Sequence, residues 1–370
     1  MNITITGQGG FVGSHLKNYI NCFCEEIKLN QFKTLFFDDN EKLVSIIKKS
    51  DAIIHLAGVN RAISGSDVYT KNIELSNKLI NAIDIADFKG KLIFASSIQE
   101  ELNNHYGKSK YESRQYFEKE SERLGFQFIS LILPNIYGPF CSPNYNSFIA
   151  TFCHNLINDK QISITNDNEI PLIYVEDVVK IILDLCHSSE NKKIEVKEDI
   201  NIKVSNVYSL LKNFKDDYIT NGIIPELDTR FKLNLFNTFR SYLYDSDFFP
   251  RKFNKNIDQR GTFSEIIRAK VKGQFSYSVT KPDQVRGNHF HTTRIERFSI
   301  IQGEAIVDIR KIGSNEKKSY YMTDKEQSYI DIPIWYTHNL KNVGKKNLLM
   351  TFWINEFYNE KDSDTFYQIV

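Results

Sequence analysis

The sequence predicts two domains, an α/β domain on a parallel sheet over residues 1–245 and an all-β domain over 246–370. Three observations carry this. Residues 1–190 alternate short apolar runs with amphipathic helical stretches, at the spacing of βαβ units. Near residue 250 the texture changes to short runs rich in Ile, Val, Tyr and Phe with turn residues between them, the pattern of a β-sandwich or barrel. A chain of 370 residues also exceeds one ordinary domain.

Each element has its own signal. NITITG (2–7) is a β-branched strand, FVGSHLKNYINCF (11–23) a helix, and EEIKLNQF (25–32) the second strand. DAIIHLAG (51–58) is a strand, and residues 70–86 place apolar side chains at i, i+3/i+4, as a helix does. GKLIFASS (90–97) is a strand, 106–125 a long polar-faced helix, and FQFISLILP (126–134) a strand. Residues 187–203 are polar and read as an exposed connection carrying at most one short strand. Ser205 is a good N-cap for a helix over 205–217, and 226–243 keeps a helical pattern. The strands beyond are QFSYSVT, RFSIIQGEAIVDIRKI, KSYYMT, SYIDIP and NLLMTFWI.

Composition narrows the class. Hydrophobic residues make up 41% and charged residues 25%, with a net charge of +1. That is ordinary globular material with no basic field for nucleic acid. No run approaches the roughly 18 apolar residues of a membrane span, and the N-terminus lacks a secretory pattern. The cysteines are Cys22, Cys24, Cys141, Cys153 and Cys186, an odd number with no C-x-x-C pair. A cytoplasmic protein without a disulfide framework is expected.

ITGQGGFVG places Gly7, Gly10 and Gly13 after a strand and at the start of a helix, with Phe11 and Val12 between the last two. Such glycines make a tight turn and let backbone approach a pyrophosphate at the helix N-terminus. Alone, the pattern also fits a plain strand-to-helix turn. In HLAG, the small side chains near Leu56, Ala57 and Gly58 would let a cofactor lie across a strand end. Tyr106 and Lys110, four apart, share a helix face. Lys110 can lower the phenol pKa by its charge, so that Tyr106 passes a proton to or from a sugar oxygen. Ser96 and Ser97 end the strand before that tyrosine, and a hydroxyl there can bond the same oxygen.

With LPNIYGP (133–139) and IPLIYVEDVV (170–179), these motifs resemble the extended short-chain dehydrogenase/reductase family, a Rossmann fold acting on nucleotide sugars, over about 1–245. The resemblance implies Ser97, Tyr106 and Lys110 as catalytic residues, Ser97 preferred to Ser96, and Asn135 near the substrate. Asp177, entering a helix, is expected to support the fold. The second strand ends at Leu29-Asn30-Gln31 without the acid that binds an NAD ribose, and Asp38 and Asp39 come late. NADPH is therefore expected, with Lys28, Asn30 or Lys33 meeting its 2′-phosphate.

In the C-terminal part, His289-x-His291-x4-Glu296-x6-Gly303 and Pro333-x-Trp335-x-x-His338-x3-Asn342 resemble the two motifs of cupins, jelly-roll barrels, with Trp335 where glycine is usual. Residues two apart on a strand point to one side, so His289 and His291 can aim into one barrel. Glu296 and His338 would complete three nitrogens and one oxygen, a set that suits Zn²⁺ and leaves Fe, Mn and Ni open. A single His-x-His is more often a pair of surface histidines, and the metal can also be purely structural. VRGNHFH is similar to the Arg-Gly-x-His of sugar-nucleotide 3,5-epimerases, where the histidine is a base. Since His289 is here assigned to metal, Lys281 or Tyr336, both expected inside the barrel, stand as candidate bases.

Both halves together, with HLAGVNR, SSIQ and PNYNSFIATFC (143–153), resemble a family of bifunctional capsular-polysaccharide enzymes along the whole chain. The resemblance implies C3 epimerisation of a UDP-2-acetamido-2,6-dideoxy-4-hexulose in the cupin domain. NADPH-dependent C4 reduction to the L-talose form would follow, on the way to UDP-N-acetyl-L-fucosamine, in a homodimer. Two other readings stand beside it: a reductase whose cupin is a structural or dimerising module, and a non-catalytic sugar-nucleotide sensor.

Overall fold

The computed structural model describes every residue except 63, 189–191, 245, 246, 254 and 260. It divides into two compact units, Met1–Thr151 with Asn166–Val204, and Phe152–Thr165 with Ser205–Val370. The boundary expected at 245/246 falls on residues outside the described set. The segment between Ser205 and that boundary, read from sequence as part of the first domain, groups with the second unit.

In chain order the first elements are β1 (Asn2–Thr6), α1 (Phe11–Phe23), β2 (Lys28–Asn30), α2 (Asn40–Ile47), β3 (Ala52–His55), α3 (Gly65–Ala86), β4 (Lys91–Ser97) and α4 (His105–Leu124). Then follow β5 (Gln127–Leu133), β6 (Asn135–Tyr137), α5 (Phe148–Ile157), β7 (Glu169–Tyr174), α6 (Val175–Cys186), β8 (Lys192–Glu195) and β9 (Ile200–Lys203). Six strands pair in the order β2-β1-β3-β4-β5-β8, all in parallel. Both faces are covered, which is why these strands read as continuous apolar runs. Ile54, Ile93 and Ile129 face one core with Leu16 and Ile20 of α1 and Val178 and Ile182 of α6. Their neighbours Ile53, Leu92 and Phe128 face the other core with Leu43, Leu79, Ile83 and Phe117. This is the doubly wound, Rossmann-like arrangement, and the strand order reverses between β1 and β3, where such folds bind ligands.

The stretch 187–203 corrects the reading of a mostly irregular connection. β8 extends the main sheet beside β5, and β9 pairs antiparallel with β7. Its alternation is short and lysine-rich, and Ile194 and Val196 are the residues that reach the core.

The second unit continues with α7 (Val204–Phe214), β10 (Ile223–Ile224), α8 (Arg230–Ser241), β11 (Arg251–Lys252), β12 (Lys255–Asp258), β13 (Gly261–Ser264) and β14 (Arg268–Ala269). The remaining strands are β15 (Gln274–Thr280), β16 (Val285–Phe290), β17 (Glu296–Gln302), β18 (Glu304–Lys311), β19 (Lys317–Thr323), β20 (Ser328–Ile332), β21 (Tyr336–Asn342), β22 (Leu348–Ile354) and β23 (Phe366–Tyr367). α7 starts one residue ahead of its expected cap, Ser205. Two five-stranded antiparallel sheets dominate, β11-β20-β17-β22-β15 and β19-β18-β21-β16-β23. Alternation places Ala305, Val307 and Ile309 of β18, and His338, Leu340 and Asn342 of β21, in the interior.

A buried polar cluster explains why 205–245 belongs here. Arg297 of β17 holds Asp331 of β20 with both prongs, at 2.6 and 2.9 Å. Tyr218, after α7, donates to the same carboxylate at 2.5 Å. Arg240 of α8 donates to Ile332 O at 3.1 Å. These partners lie 113 and 92 residues apart along the chain, beyond the reach of periodicity. Among the described residues, no helix is long and apolar enough to cross a membrane.

Candidate functional site

In the first unit the glycine loop and the end of β3 meet. Gly7 has φ +78°, and a Cβ on it would lie 2.9 Å from Ala57 N. A Cβ on Gly13 would lie 2.1 Å from Gly7 O, so α1 can rest on the loop only without that side chain. Gly10, whose N–H donates to Gly7 O at 2.9 Å, is the N-cap of α1. No side chain caps that helix and its first turn holds no acid, which suits an anion. Phe11 and Val12 open the helix, and Val12 packs on the core. Leu56 N and Ala57 N donate to Thr6 O and Thr6 Oγ1, each at 3.2 Å. A Cβ on Gly58 would sit 3.5 Å from Lys110 Nζ. The glycine loop, the small residues after β3 and Lys110 therefore share one place.

Asn30 Nδ2 donates to Thr4 Oγ1 at 3.0 Å and Ser50 Oγ at 3.3 Å, which turns the carboxamide toward the sheet. The backbone of Asn30 instead accepts from Gln8 Nε2 at 2.7 Å, which ties the end of β2 to the glycine loop.

Tyr106 and Lys110 lie one turn apart on α4, whose start is fixed by Asn104 Oδ1 accepting from Gly107 N at 2.7 Å. Lys110 is buried and donates to Ala95 O at 2.9 Å, with its ammonium 4.7 Å from the Phe94 ring centre and 5.9 Å from that of Tyr106. Burial pulls Lys110 down to about 8 and pushes the Tyr106 phenol up to about 12. Burial dominates the phenol, while the Lys110 ammonium is directed at Ala95 O. Ser97 ends β4 and accepts from Gln99 N at 3.2 Å, which leaves its O–H to donate. Ser96 is buried and bonded to Glu100. Asn135 opens β6, with Nδ2 3.3 Å from Pro171 O. Asp177 lies in the first turn of α6.

In the second unit, His289, His291, Glu296 and His338 converge, with one ligand atom from each, all within 4.8 Å of one another. The strand ends at Phe290, so His291 lies just past it. Gly287 (φ +101°) and Asn288 (φ +60°) form a bulge that shifts the register between Gly287 and His289. Glu296 Oε2 is 2.9 Å from His291 Nε2 and 3.3 Å from His338 Nε2. Against the upward push of burial, these imidazoles hold the Glu296 carboxyl well below its usual range. Burial and the neighbouring His338 pull His289 down to about 4, so it is neutral at pH 7.

The donor set fits a divalent metal. His291 Nδ1 donates to Asp364 O at 2.5 Å, which turns Nε2 inward. His338 Nδ1 faces Tyr336 O at 3.3 Å and does the same. His338 Nε2 is fully buried yet makes no hydrogen bond of good geometry, a cost that a metal bond would remove. Sequence reasoning missed Asp364. Its carboxylate accepts from Thr292 N and Oγ1, Thr293 N and Oγ1, and Arg294 N, at 2.7–3.0 Å. β23, just beyond it, pairs with His289 and Phe290.

Of the two candidate bases, Lys281 is exposed, in the turn after β15, which corrects its expected place in the interior. Tyr336 is buried two residues before His338 and packs on Tyr244, ring centres 4.8 Å apart. Trp335 takes the left-handed conformation, φ +61°, that glycine would fill. Its ring stacks on Phe290 at 5.6 Å, and its backbone N–H donates to His291 O at 2.7 Å.

Comparison with known proteins agrees with this two-part construction. Residues 3–202 match the NAD dependent epimerase/dehydratase family, and 256–366 match the polysaccharide biosynthesis C-terminal domain. The chain is 30% identical over 371 residues to a Pseudomonas aeruginosa protein named UDP-2-acetamido-2,6-β-L-arabino-hexul-4-ose reductase, across 99% of this chain and 98% of that one. The crystal structure of the capsular polysaccharide assembling protein CapF from Staphylococcus aureus matches over 100% of both chains, with 32% identity and a TM-score of 0.62. CapF with the inhibitor 3-isopropenyl-tropolone matches over 100% of both, with 30% identity and a TM-score of 0.59. This chain therefore belongs to the NAD dependent epimerase/dehydratase family, whose members take a nicotinamide cofactor, and is related along its whole length to the two-part proteins just described.

Proposed function

We propose that this chain is a bifunctional nucleotide-sugar enzyme. Its β-rich unit, a cupin jelly roll holding Zn²⁺ or another divalent metal, epimerises C3 of a UDP-2-acetamido-2,6-dideoxy-4-hexulose. Its N-terminal unit then reduces C4 with NADPH, giving UDP-2-acetamido-2,6-dideoxy-L-talose for capsular or O-antigen polysaccharide, in a cytoplasmic homodimer. The observation that carries this reading is the relationship over 99% of the chain to a named UDP-4-hexulose reductase.

The chemistry follows from the substrate. A 4-keto group acidifies the C3 proton, because the carbanion left behind delocalises onto the oxygen. His289, His291, Glu296 and His338 would hold the metal, which when bound supplies a Lewis acid. Tyr336, buried on the His338 strand, is the better placed of the two bases. The tropolone inhibitor of CapF carries adjacent carbonyl and hydroxyl oxygens, a metal-chelating pair, in keeping with a metal in this family.

For reduction, NADPH supplies the hydride to C4. Tyr106 gives its phenolic proton to O4, Ser97 donates a hydrogen bond to the same oxygen, and the Lys110 cation stabilises the phenolate left behind. A phenol at about 12 is protonated at neutral pH, the form that reduction needs. The burial of His291 (2%) and His338 (0%) also favours a second reading, a reductase whose metal is structural. One experiment separates the two. The UDP-4-hexulose is incubated in D₂O without NADPH and C3 is followed by NMR. Deuterium uptake that is lost in His289→Ala and kept in Tyr106→Phe supports the bifunctional enzyme. No uptake, alongside NADPH-dependent reduction, leaves a reductase alone.

A further inference from the structure

β4 ends at Ser97 and runs into a single turn of 3₁₀ helix, Ile98–Glu101. The strand end and this turn are fastened to α4 at three points. Lys110 Nζ donates to Ala95 O at 2.9 Å. Gly107 rests on Gln99, where a Cβ would come 1.9 Å from Gln99 O. Arg114 grips Glu100, with Nε at 3.0 and 2.9 Å from the two oxygens and Nη2 at 2.8 Å. The pair is buried, with side-chain exposures of 9% and 6%. Ser96 Oγ donates to Glu100 Oε1 as well. Tyr106, Lys110 and Arg114 are spaced four apart, so one face of α4 carries all three.

A buried ion pair is weak evidence for stability, because desolvation offsets much of its Coulomb attraction. The location of this pair argues for a role beyond stability. Ser97 sits on the fastened turn, and Tyr106 and Lys110 sit on the helix that fastens it. Glu100 is also a fixed negative charge that opposes the effect of burial on Lys110. Among the described residues, the other groups around Lys110 bring no second anion. His55 of β3 is buried and neutral, Asn72 of α3 and Gly58 are uncharged, Tyr106 is a protonated phenol, and Arg114 is a cation.

Resting on the reductase reading above, we propose that Glu100 is a positioning residue of the reductase site. Through Arg114 and Ser96 it sets Ser97 against Tyr106.

The test is the pH profile of NADPH-dependent reduction of the UDP-4-hexulose by the full chain, in wild type, Glu100→Gln and Ser96→Ala. Glu100→Gln is expected to lower kcat about 10- to 100-fold, the scale of a small misplacement of reacting groups. Its alkaline limb moves to lower pH, because Lys110 loses its proton more easily without the anion. Ser96→Ala, which breaks one hydrogen bond and keeps the charge, is expected to lower kcat with the limb unmoved. It serves alone if Glu100→Gln does not fold. Deuterium uptake at C3 stays at the wild-type rate in both variants. Wild-type kcat in Ser96→Ala, or wild-type kcat and limb in Glu100→Gln, overturns the role of Glu100. If the wild type itself oxidises no NADPH with this substrate, the reductase reading is what fails.

Discussion

Asp364→Ala tests how the His289, His291, Glu296 and His338 cluster is held. Three backbone N–H groups and two hydroxyls end on this carboxylate, and its own backbone oxygen takes the Nδ1 proton of His291. The two hydroxyls can turn to other acceptors, so the three N–H groups set the cost. A buried donor left unmet costs about 1–3 kcal/mol. Water reaching this half-buried site offsets part of it, and a loss of about 3–5 kcal/mol is expected, a large share of a typical domain's 5–15 kcal/mol. Against the upward push of burial, hydrogen bonds from Thr292, Thr293 and Arg294 hold the Asp364 carboxyl below its usual value. The stabilisation is thus present above the unfolded carboxyl pKa of about 3.9 and is lost as pH falls through the lower folded value. A measurement at pH 7 reads all of it. Urea unfolding in a chelator gives the stability term. Competition with a chromophoric chelator gives zinc affinity, expected to drop about 10- to 100-fold as His291 loses its orientation. Asp364→Asn, which tolerates φ +40° and keeps one acceptor oxygen, should fall between. A loss under about 1 kcal/mol with unchanged zinc affinity would mean that Asp364 does not hold the cluster.

Three further outcomes are expected. Reduction should slow as pH rises through about 8, where Lys110 loses its proton while Tyr106 at about 12 keeps its own, and stopped-flow NADPH oxidation across pH 6–10 reads this limb. Trp335→Gly relieves a left-handed backbone worth about 1 kcal/mol but removes a buried indole worth about 3 kcal/mol, so urea denaturation should show a net loss of about 2 kcal/mol; a stabilised variant would mean that strain dominates. Zinc at about 100 times its Kd should stabilise the protein by about 2.7 kcal/mol, less at lower pH where the imidazoles hold protons, and His338→Ala should remove the effect in a thermal melt.

What could be read from the sequence was what repeats or what clusters. Gly7, Gly10 and Gly13 are close in the chain and constrained by one turn, so their spacing carries their geometry. His289, His291 and Glu296 lie close together in the chain, at the end of β16 and the start of β17, and only His338 had to be matched from a distant strand. Tyr106 and Lys110 share a helix face by period alone. The rest depends on partners distant in sequence. The carboxamide of Asn30 is claimed by Thr4 and Ser50, which no local pattern reveals. Lys281 falls in a turn, and its exposure depends on where β15 ends. The helices over 205–245 carry ordinary helical periodicity, which says nothing about which unit buries them; Asp331, Arg297 and Ile332 decide that. Glu100 and Asp364 read as surface acids until their donors are seen.

Asp364 stands 73 residues after His291. A ribosome adding about 5–20 residues per second therefore makes the His291 loop on the order of 4–15 seconds before its anchor exists. During that interval the histidines are present in the nascent chain, but the contacts that orient them are not. On the proposed reading, metal capture would thus be a late event in the life of each molecule, after β23 closes beside His289.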